Sequence, residues 1–226
     1  MGETVVFDLD GTLADTSMDL IAAANAVFLA RGQDAPLDPQ ADAALAFRGG
    51  RAMLSLGYER IGQTADIHAD WHAFIDIYTD NIATHTTLYP GVREAVAALR
   101  GAGYLCTICT NKPEKQAEIL MRKLEFRNDF AALIGADTLP VRKPDPEPLR
   151  QSVLRAGGDP ARSVIIGDTV TDRDTGRAAG VPVVLVGFGP EGRAVEALGP
   201  DHIIDHFDDL PDLVARLLPR QKRSTP

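Results

Sequence analysis

Two aspartates spaced two apart, Asp8 and Asp10, close the apolar run Val5-Val6-Phe7 and stand just before Gly11. Side chains alternate along extended backbone, so this spacing predicts both carboxylates on one side, with Phe7 and Leu9 pointing away. Like charges held so close repel, and a cation between or beside them relieves the repulsion. Further groups of the same character lie downstream: Thr110-Asn111-Lys112, Lys143 in a proline-stiffened loop, and Gly167-Asp168-Thr169 with Asp172 beyond. Acids, a hydroxyl, an amide and a lysine gathered on one rim would let an anionic ligand be met by local positive charge or a metal. An all-oxygen donor set with no His or Cys in these motifs favours Mg²⁺ over zinc.

Each group alone also has an ordinary explanation as a strand-end turn, a helix cap or a surface lysine. The elements that carry them argue otherwise. After a first strand ending near Phe7, the chain turns at Tyr89-Pro90-Gly91 and then alternates. The patterns predict a helix from Val92 to Arg100, a strand from Tyr104 to Thr110, a helix from Glu114 to Leu124 and a weaker strand from Ala132 to Gly135. A helix ending at Gly157-Gly158, a strand from Ser163 to Gly167, a helix from Thr171 to Ala179, a strand from Val183 to Val186 and a helix from Leu210 to Leu218 follow. This rhythm predicts an α/β fold with a Rossmann-like parallel sheet. Ligands of such sheets sit outside the carboxyl ends of the strands, where Asp8, Asp10, Thr110 and Asp168 all fall. Residues 221–226 read as a solvated tail.

The segment between the first strand and the Tyr89 turn has a different pattern. Thr16 and Asp19 have the spacing of a helix cap, Leu20, Ala23, Ala24, Val27 and Phe28 keep helical spacing, and Gly32 stands where the helix would stop. From Ala41 to His85 the pattern stays helical without a convincing strand. The expected organisation is a core of residues 1–14 and 87–226 with an inserted α-helical cap domain of residues 15–86. Within the insert, Arg48-Gly49-Gly50-Arg51 breaks the helical pattern with a glycine pair between two arginines.

At 226 residues, 45% hydrophobic and 24% charged, the chain can bury a substantial core. A net charge of -9 argues against nucleic acid as a partner, because phosphate backbones are met by basic stripes. An anionic ligand must then depend on local cations. No run of about 18 apolar residues occurs, and the N-terminus passes directly into the first strand, so the expectation is a cytoplasmic protein with no membrane partner. Oligomeric state is not legible.

The ordered set Asp8-x-Asp10-Gly11-Thr12, Thr110-Asn111-Lys112, Lys143-Pro144-Asp145-Pro146 and Gly167-Asp168-Thr169-x-x-Asp172 resembles the haloacid dehalogenase superfamily of phosphohydrolases. With the helical insert and the Tyr89-Pro90-Gly91 return, it is similar to the phosphoglycolate phosphatase branch. The resemblance implies a nucleophile at Asp8, forming an aspartyl phosphate, and a general acid and base at Asp10. It implies phosphoryl binding by Thr110 and the backbone near Gly11 and Asn111, charge neutralisation by Lys143, and Mg²⁺ held by Asp8, Asp168 and the Asp10 carbonyl with Asp172 in support. In capped relatives a loop like Arg48-Gly49-Gly50-Arg51 reaches the substrate, and either arginine could pair with a carboxylate. A solvated basic turn accounts for the same loop equally well. The implied ligand is a small-molecule phosphate ester such as phosphoglycolate.

Related readings are a sugar-phosphate phosphatase, a phosphoglucomutase-like enzyme, and a non-catalytic Mg²⁺-dependent phosphate-binding module. Asp10 and the insert favour an enzyme over a receiver-like module. The lack of any lysine from Asp15 to Thr86 counts against a phosphonatase, and Asp10 counts against a dehalogenase. Three other signals are weaker. Gly187-Phe188-Gly189-Pro190-Glu191-Gly192 matches a dinucleotide fingerprint, but Pro190 is awkward there and too little chain follows, which leaves a loop beside the rim. Cys106 and Cys109 lie in a strand and read as core thiols. His68 and His72 read as a polar helix face.

Overall fold

Short runs rich in valine and isoleucine, such as Val5-Val6-Phe7, Val164-Ile165-Ile166 and Val183–Val186, form the buried stretches of the strands. The computed structural model describes residues 2–64 and 66–219. The strands are β1 (Gly2–Phe7), β2 (Ala14–Asp15), β3 (Thr87–Leu88), β4 (Leu105–Cys109), β5 (Ala132–Ile134), β6 (Gly158–Gly167), β7 (Val183–Val186) and β8 (His202–Ile204). The helices are α1 (Ser17–Ala30), α2 (Ala43–Ala46), α3 (Gly50–Arg60), α4 (Ile67–Asn81), α5 (Val92–Gly101), α6 (Glu114–Lys123), α7 (Glu147–Arg155), α8 (Val170–Ala179) and α9 (Leu210–Leu217). The tail read at residues 221–226 lies outside the described residues.

Six strands form one parallel sheet in the order β5-β4-β1-β6-β7-β8, as the α/β expectation required. β1 is central: Val6 pairs with Thr107 on one side and with Ile165 on the other. The chain builds outward from β1 first through β4 and β5, then through β6, β7 and β8. In open α/β sheets such a reversal marks where ligands bind, outside the carboxyl end of β1. Val6, Cys109 and Ile165 pack with Leu149 and Val153 of α7 on one face. Phe7 meets Phe130 edge to face on the other, 5.9 Å between ring centres. Both cysteine thiols are buried and unpaired, and burial pushes each up to about 12, consistent with core packing.

The chain divides into two compact units, residues 1–13 with 88–226, and residues 14–87. The second contains α1 to α4. At its centre the Tyr58 hydroxyl and the Arg31 guanidinium both donate to the buried carboxylate of Asp70. α3 approaches closely through glycine: a methyl group on Gly57 would lie 2.4 Å from the Phe28 ring. Among the described residues no helix is long and apolar enough to cross a membrane.

Several local expectations need correction. The Thr16 and Asp19 capping pair does not form: Asp15 Oδ1 accepts the Ser17 amide and hydroxyl at the start of α1, while Asp19 accepts from the His85 and Thr86 amides and the Thr86 hydroxyl. A long-range partner outcompetes the local cap because it satisfies three donors at once. β6 begins at Gly158 rather than Ser163, running through a register irregularity opposite Gly2 and Thr4. β1 ends at Phe7, so Asp8 and Asp10 stand just beyond the strand, where the Leu13 amide bonds the Leu9 carbonyl at 2.9 Å.

Candidate active site

The strand ends bring the polar groups of the core to one place. The Asp8 amide continues the sheet by donating to Ile166 O at 2.9 Å, and the Thr110 amide does the same to Ile134 O at 3.0 Å. These bonds aim the first residue after β1 and the first after β4 along the sheet before the chain turns away. Gly11, at φ +82°, makes the turn after Asp10, a backbone state that disfavours side chains.

Lys143 is the central cation. Its ammonium is buried, 2.6 Å from Asp172 Oδ1 and 3.0 Å from Asp8 Oδ1. Burial alone would lower the lysine, but the carboxylates of Asp172 and Asp8 outweigh it and hold its affinity for a proton above the ordinary value. Burial pushes the Asp8 carboxyl up to about 6; Lys143 opposes the rise and Asp172 adds to it. Asp168 is raised well above the ordinary carboxylate range, first by burial and then by the Asp172 and Asp8 charges.

Asp172 is fully engaged. Besides Lys143 on Oδ1, its Oδ2 accepts from the Asp168 amide at 3.2 Å, the Thr169 amide at 3.1 Å and the Thr169 hydroxyl at 2.8 Å. It caps α8 while bracing the strand-end loop, and Gly167 makes this possible: a Cβ there would lie 2.3 Å from the Asp172 side chain. Asp168 contrasts with it. One oxygen accepts from the Thr12 hydroxyl at 2.9 Å, and the other, Oδ2, is buried with no hydrogen-bond partner among the described residues.

An orphaned buried carboxylate oxygen is expensive unless something positive completes it. Oxygens of Asp8, Asp168 and Asp172 lie within 4.8 Å of one another. This donor set fits a hard divalent cation such as Mg²⁺. The side chain of Asp10 is not in that cluster. Lys112 Nζ donates to both of its oxygens, at 2.9 and 3.1 Å. Asn111 Nδ2 donates to the Lys143 carbonyl at 3.0 Å, tying the loop after β4 to the loop that carries the lysine.

A family model described as haloacid dehalogenase-like hydrolase matches residues 5–186. The chain belongs to that family. Among curated relatives of this hydrolase, a phosphoglycolate phosphatase of Mesorhizobium japonicum is 41% identical over 218 residues, covering 95% of this chain and 96% of its own. An N-acetylmuramic acid 6-phosphate phosphatase of Pseudomonas aeruginosa is 34% identical, covering 96% of each chain. A crystal structure of a predicted phosphoglycolate phosphatase of Haemophilus somnus superposes with a TM-score of 0.82 at 23% identity, covering 94% of this chain and 97% of that one. The expected haloacid dehalogenase-type phosphatase, on its Rossmann-like core, is what these likenesses support.

The core thus brings together Asp8, Asp168, Asp172 and Lys143 in one cluster and sets Asp10 against Lys112. The insert loop leads into α3. Gly49, at φ +92°, precedes α3, and a methyl group on Gly50 would lie 2.3 Å from the Phe74 ring. The Arg51 guanidinium lies 4.6 Å from the centre of the Trp71 ring, and Arg48 is exposed. Three residues escaped the sequence reading. Lys112 lay inside a quoted motif but was given no task; its signal was a second lysine on the rim facing a second acid. Thr12 likewise stood beside the acids. Gly189, in the rejected dinucleotide match, packs where a Cβ would lie 2.9 Å from Gly11 O and 3.3 Å from Asp168 Cβ.

Proposed function

We propose that this hydrolase is a Mg²⁺-dependent phosphatase of small phosphate monoesters, working through a phosphoryl group carried on Asp8, with phosphoglycolate as its substrate. The observation that carries the reading is the pairing of Asp8 with Lys143 beside the orphaned Oδ2 of Asp168. A carboxylate nucleophile must approach a dianion, so positive charge must stand next to it. When bound by Asp8, Asp168 and the Asp10 carbonyl, with Asp172 in support, Mg²⁺ supplies positive charge that offsets the phosphate and the nucleophile.

The remaining work falls to side chains of the chain itself. Asp8 attacks phosphorus; Asp10 protonates the leaving oxygen and later takes a proton from the water that releases phosphate. Thr110, whose hydroxyl oxygen already accepts the Lys112 amide at 3.1 Å, has its own proton to donate to a phosphoryl oxygen. The amides near Gly11 and Asn111 would bind the others. Lys143 neutralises Asp8 and the transferred group. Residues 15–86 are proposed as the cap, with Arg48 or Arg51 as the cation for a substrate carboxylate.

The phosphoglycolate choice rests on relatives such as the Mesorhizobium enzyme. The Pseudomonas relative, named for a sugar phosphate, favours a second reading in which this chain takes a phosphorylated sugar acid. A panel of purified monoesters that includes phosphoglycolate and N-acetylmuramic acid 6-phosphate, assayed with and without Mg²⁺, separates the two. Release of phosphate only with Mg²⁺, and fastest from phosphoglycolate, is the expected result. No turnover of any small ester with Mg²⁺ present would overturn the phosphatase reading.

A further inference from the structure

The two acids of the Asp8-x-Asp10 pair are served by different lysines. Lys143 takes Asp8, and Lys112 takes Asp10 with both of its oxygens in one fork at 2.9 and 3.1 Å. The Lys112 side chain is only 4% exposed, whereas that of Asp10 is 19% exposed. A buried ammonium in contact with a half-buried acid is a fixed point against which the acid can be oriented. The backbone of Lys112 is held at both ends: its amide donates to Thr110 Oγ1 at 3.1 Å, and its carbonyl accepts the Ala136 amide at 2.9 Å. Both bonds restrain one residue, so the lysine backbone cannot shift without loosening the loop after β4.

We infer that Lys112 is a positioning residue for proton transfer, setting the Asp10 carboxyl plane towards the leaving oxygen. The inference rests on the proposed phosphatase reading. In the first half-reaction the P–O bond to the leaving group breaks as the Asp8–phosphorus bond forms, and the Asp10 proton passes to the leaving oxygen. The carboxylate so formed is met at once by the Lys112 ammonium. In the second half, water bonds to phosphorus, the Asp8–phosphorus bond breaks, and the water proton returns to Asp10. In both halves Lys112 acts through the Asp10 carboxyl that it contacts, while the bonds to phosphorus form and break at other groups. It acts by holding both Asp10 oxygens in one fork, which fixes the plane of the carboxyl and so the direction in which its proton is delivered. Since Lys112 shares its loop with Thr110 and Asn111, the phosphoryl grip and the proton shuttle are built on one rigid turn.

The test compares esters that differ in their need for leaving-group protonation. An alkyl ester, phosphoglycolate, expels a strongly basic oxygen, while p-nitrophenyl phosphate expels a weakly basic one. Lys112→Met is expected to lower kcat/KM for the alkyl ester by about 10-fold or more, a fraction of what general acid catalysis contributes. For the aryl ester the expected change is under about threefold, because its departure needs little proton donation. Lys112→Arg, which retains a cationic fork, is expected to restore most of the alkyl-to-aryl ratio, and it serves as the second variant should the methionine protein not fold. An equal loss on both esters, or an unchanged ratio in Lys112→Met, overturns the positioning role and indicates a structural one. A wild-type enzyme inactive on both esters with Mg²⁺ present instead overturns the phosphatase reading on which the inference stands.

Discussion

Lys143 Nζ lies 2.6 Å from Asp172 Oδ1, and both side chains are almost wholly buried. Removing one partner of a buried pair leaves the other charge uncompensated, typically at a cost of about 3–5 kcal/mol. In Lys143→Met three buried carboxylates, Asp8, Asp168 and Asp172, would lose their shared cation. The variant is expected to lose on the order of 3 kcal/mol of unfolding free energy at pH 8 by chemical denaturation. Added Mg²⁺ should return part of that loss. An unchanged unfolding midpoint would show that Lys143 is not the charge that holds this cluster.

Asp8→Asn keeps the shape of the nucleophile and removes its negative charge. Turnover should fall on the order of 10⁴-fold or more, as for other enzymes that lose their nucleophile. The fold should persist, and the metal-free protein should gain thermal stability at pH 8, since a buried charge has been removed. Near wild-type phosphate release by this variant would sink the covalent route.

The raised Asp8 carboxyl makes metal-free stability depend on pH. Its proton affinity rises from the ordinary 3.8 to about 6 in the fold, so the folded state favours the protonated form. The resulting stabilisation is fully present below pH 3.8 and is lost as pH rises through about 6. Mg²⁺ needs the carboxylate, so its binding releases protons in this window. Thermal melts with and without Mg²⁺ should show a small metal-induced shift at pH 5 and a larger one at pH 8. A shift independent of pH would argue that the metal does not use Asp8.

Gly189 packs against the nucleophile loop, with no room for a side chain between Gly11 O and Asp168 Cβ. Gly189→Ala should displace one or both by a few tenths of an ångström and cost about 1–3 kcal/mol, the range for overpacking. Activity should fall further than stability accounts for, because the acids that frame the metal would move. Circular dichroism melts alongside kcat measurements check this; a stable variant of full activity would mean the loop yields without disturbing the site.

The sequence by itself determined the ladder of elements and the chemistry at their ends. Asp8, Thr110 and Asp168 each follow an apolar run short enough to be only a strand, and a parallel sheet sends all such ends to one rim. Strand residues were legible because their pattern depends on burial, which local composition records. The insert's helices were legible for the same reason.

Only the tertiary structure decided which cation meets which acid. Lys112 reaches Asp10 across 102 residues and Thr12 reaches Asp168 across 156, pairings fixed by the register of β1 between β4 and β6. Two lysines and four acids admit many pairings that composition and spacing cannot rank. The same holds for Asp19, drawn from its local cap to the amides of His85 and Thr86, and for Gly189, whose need to be glycine exists only because Gly11 and Asp168 close on it. Local sequence records which side chains are buried and which could react; packing decides what each of them touches, because a buried polar group takes whichever partner the fold brings within about 3 Å.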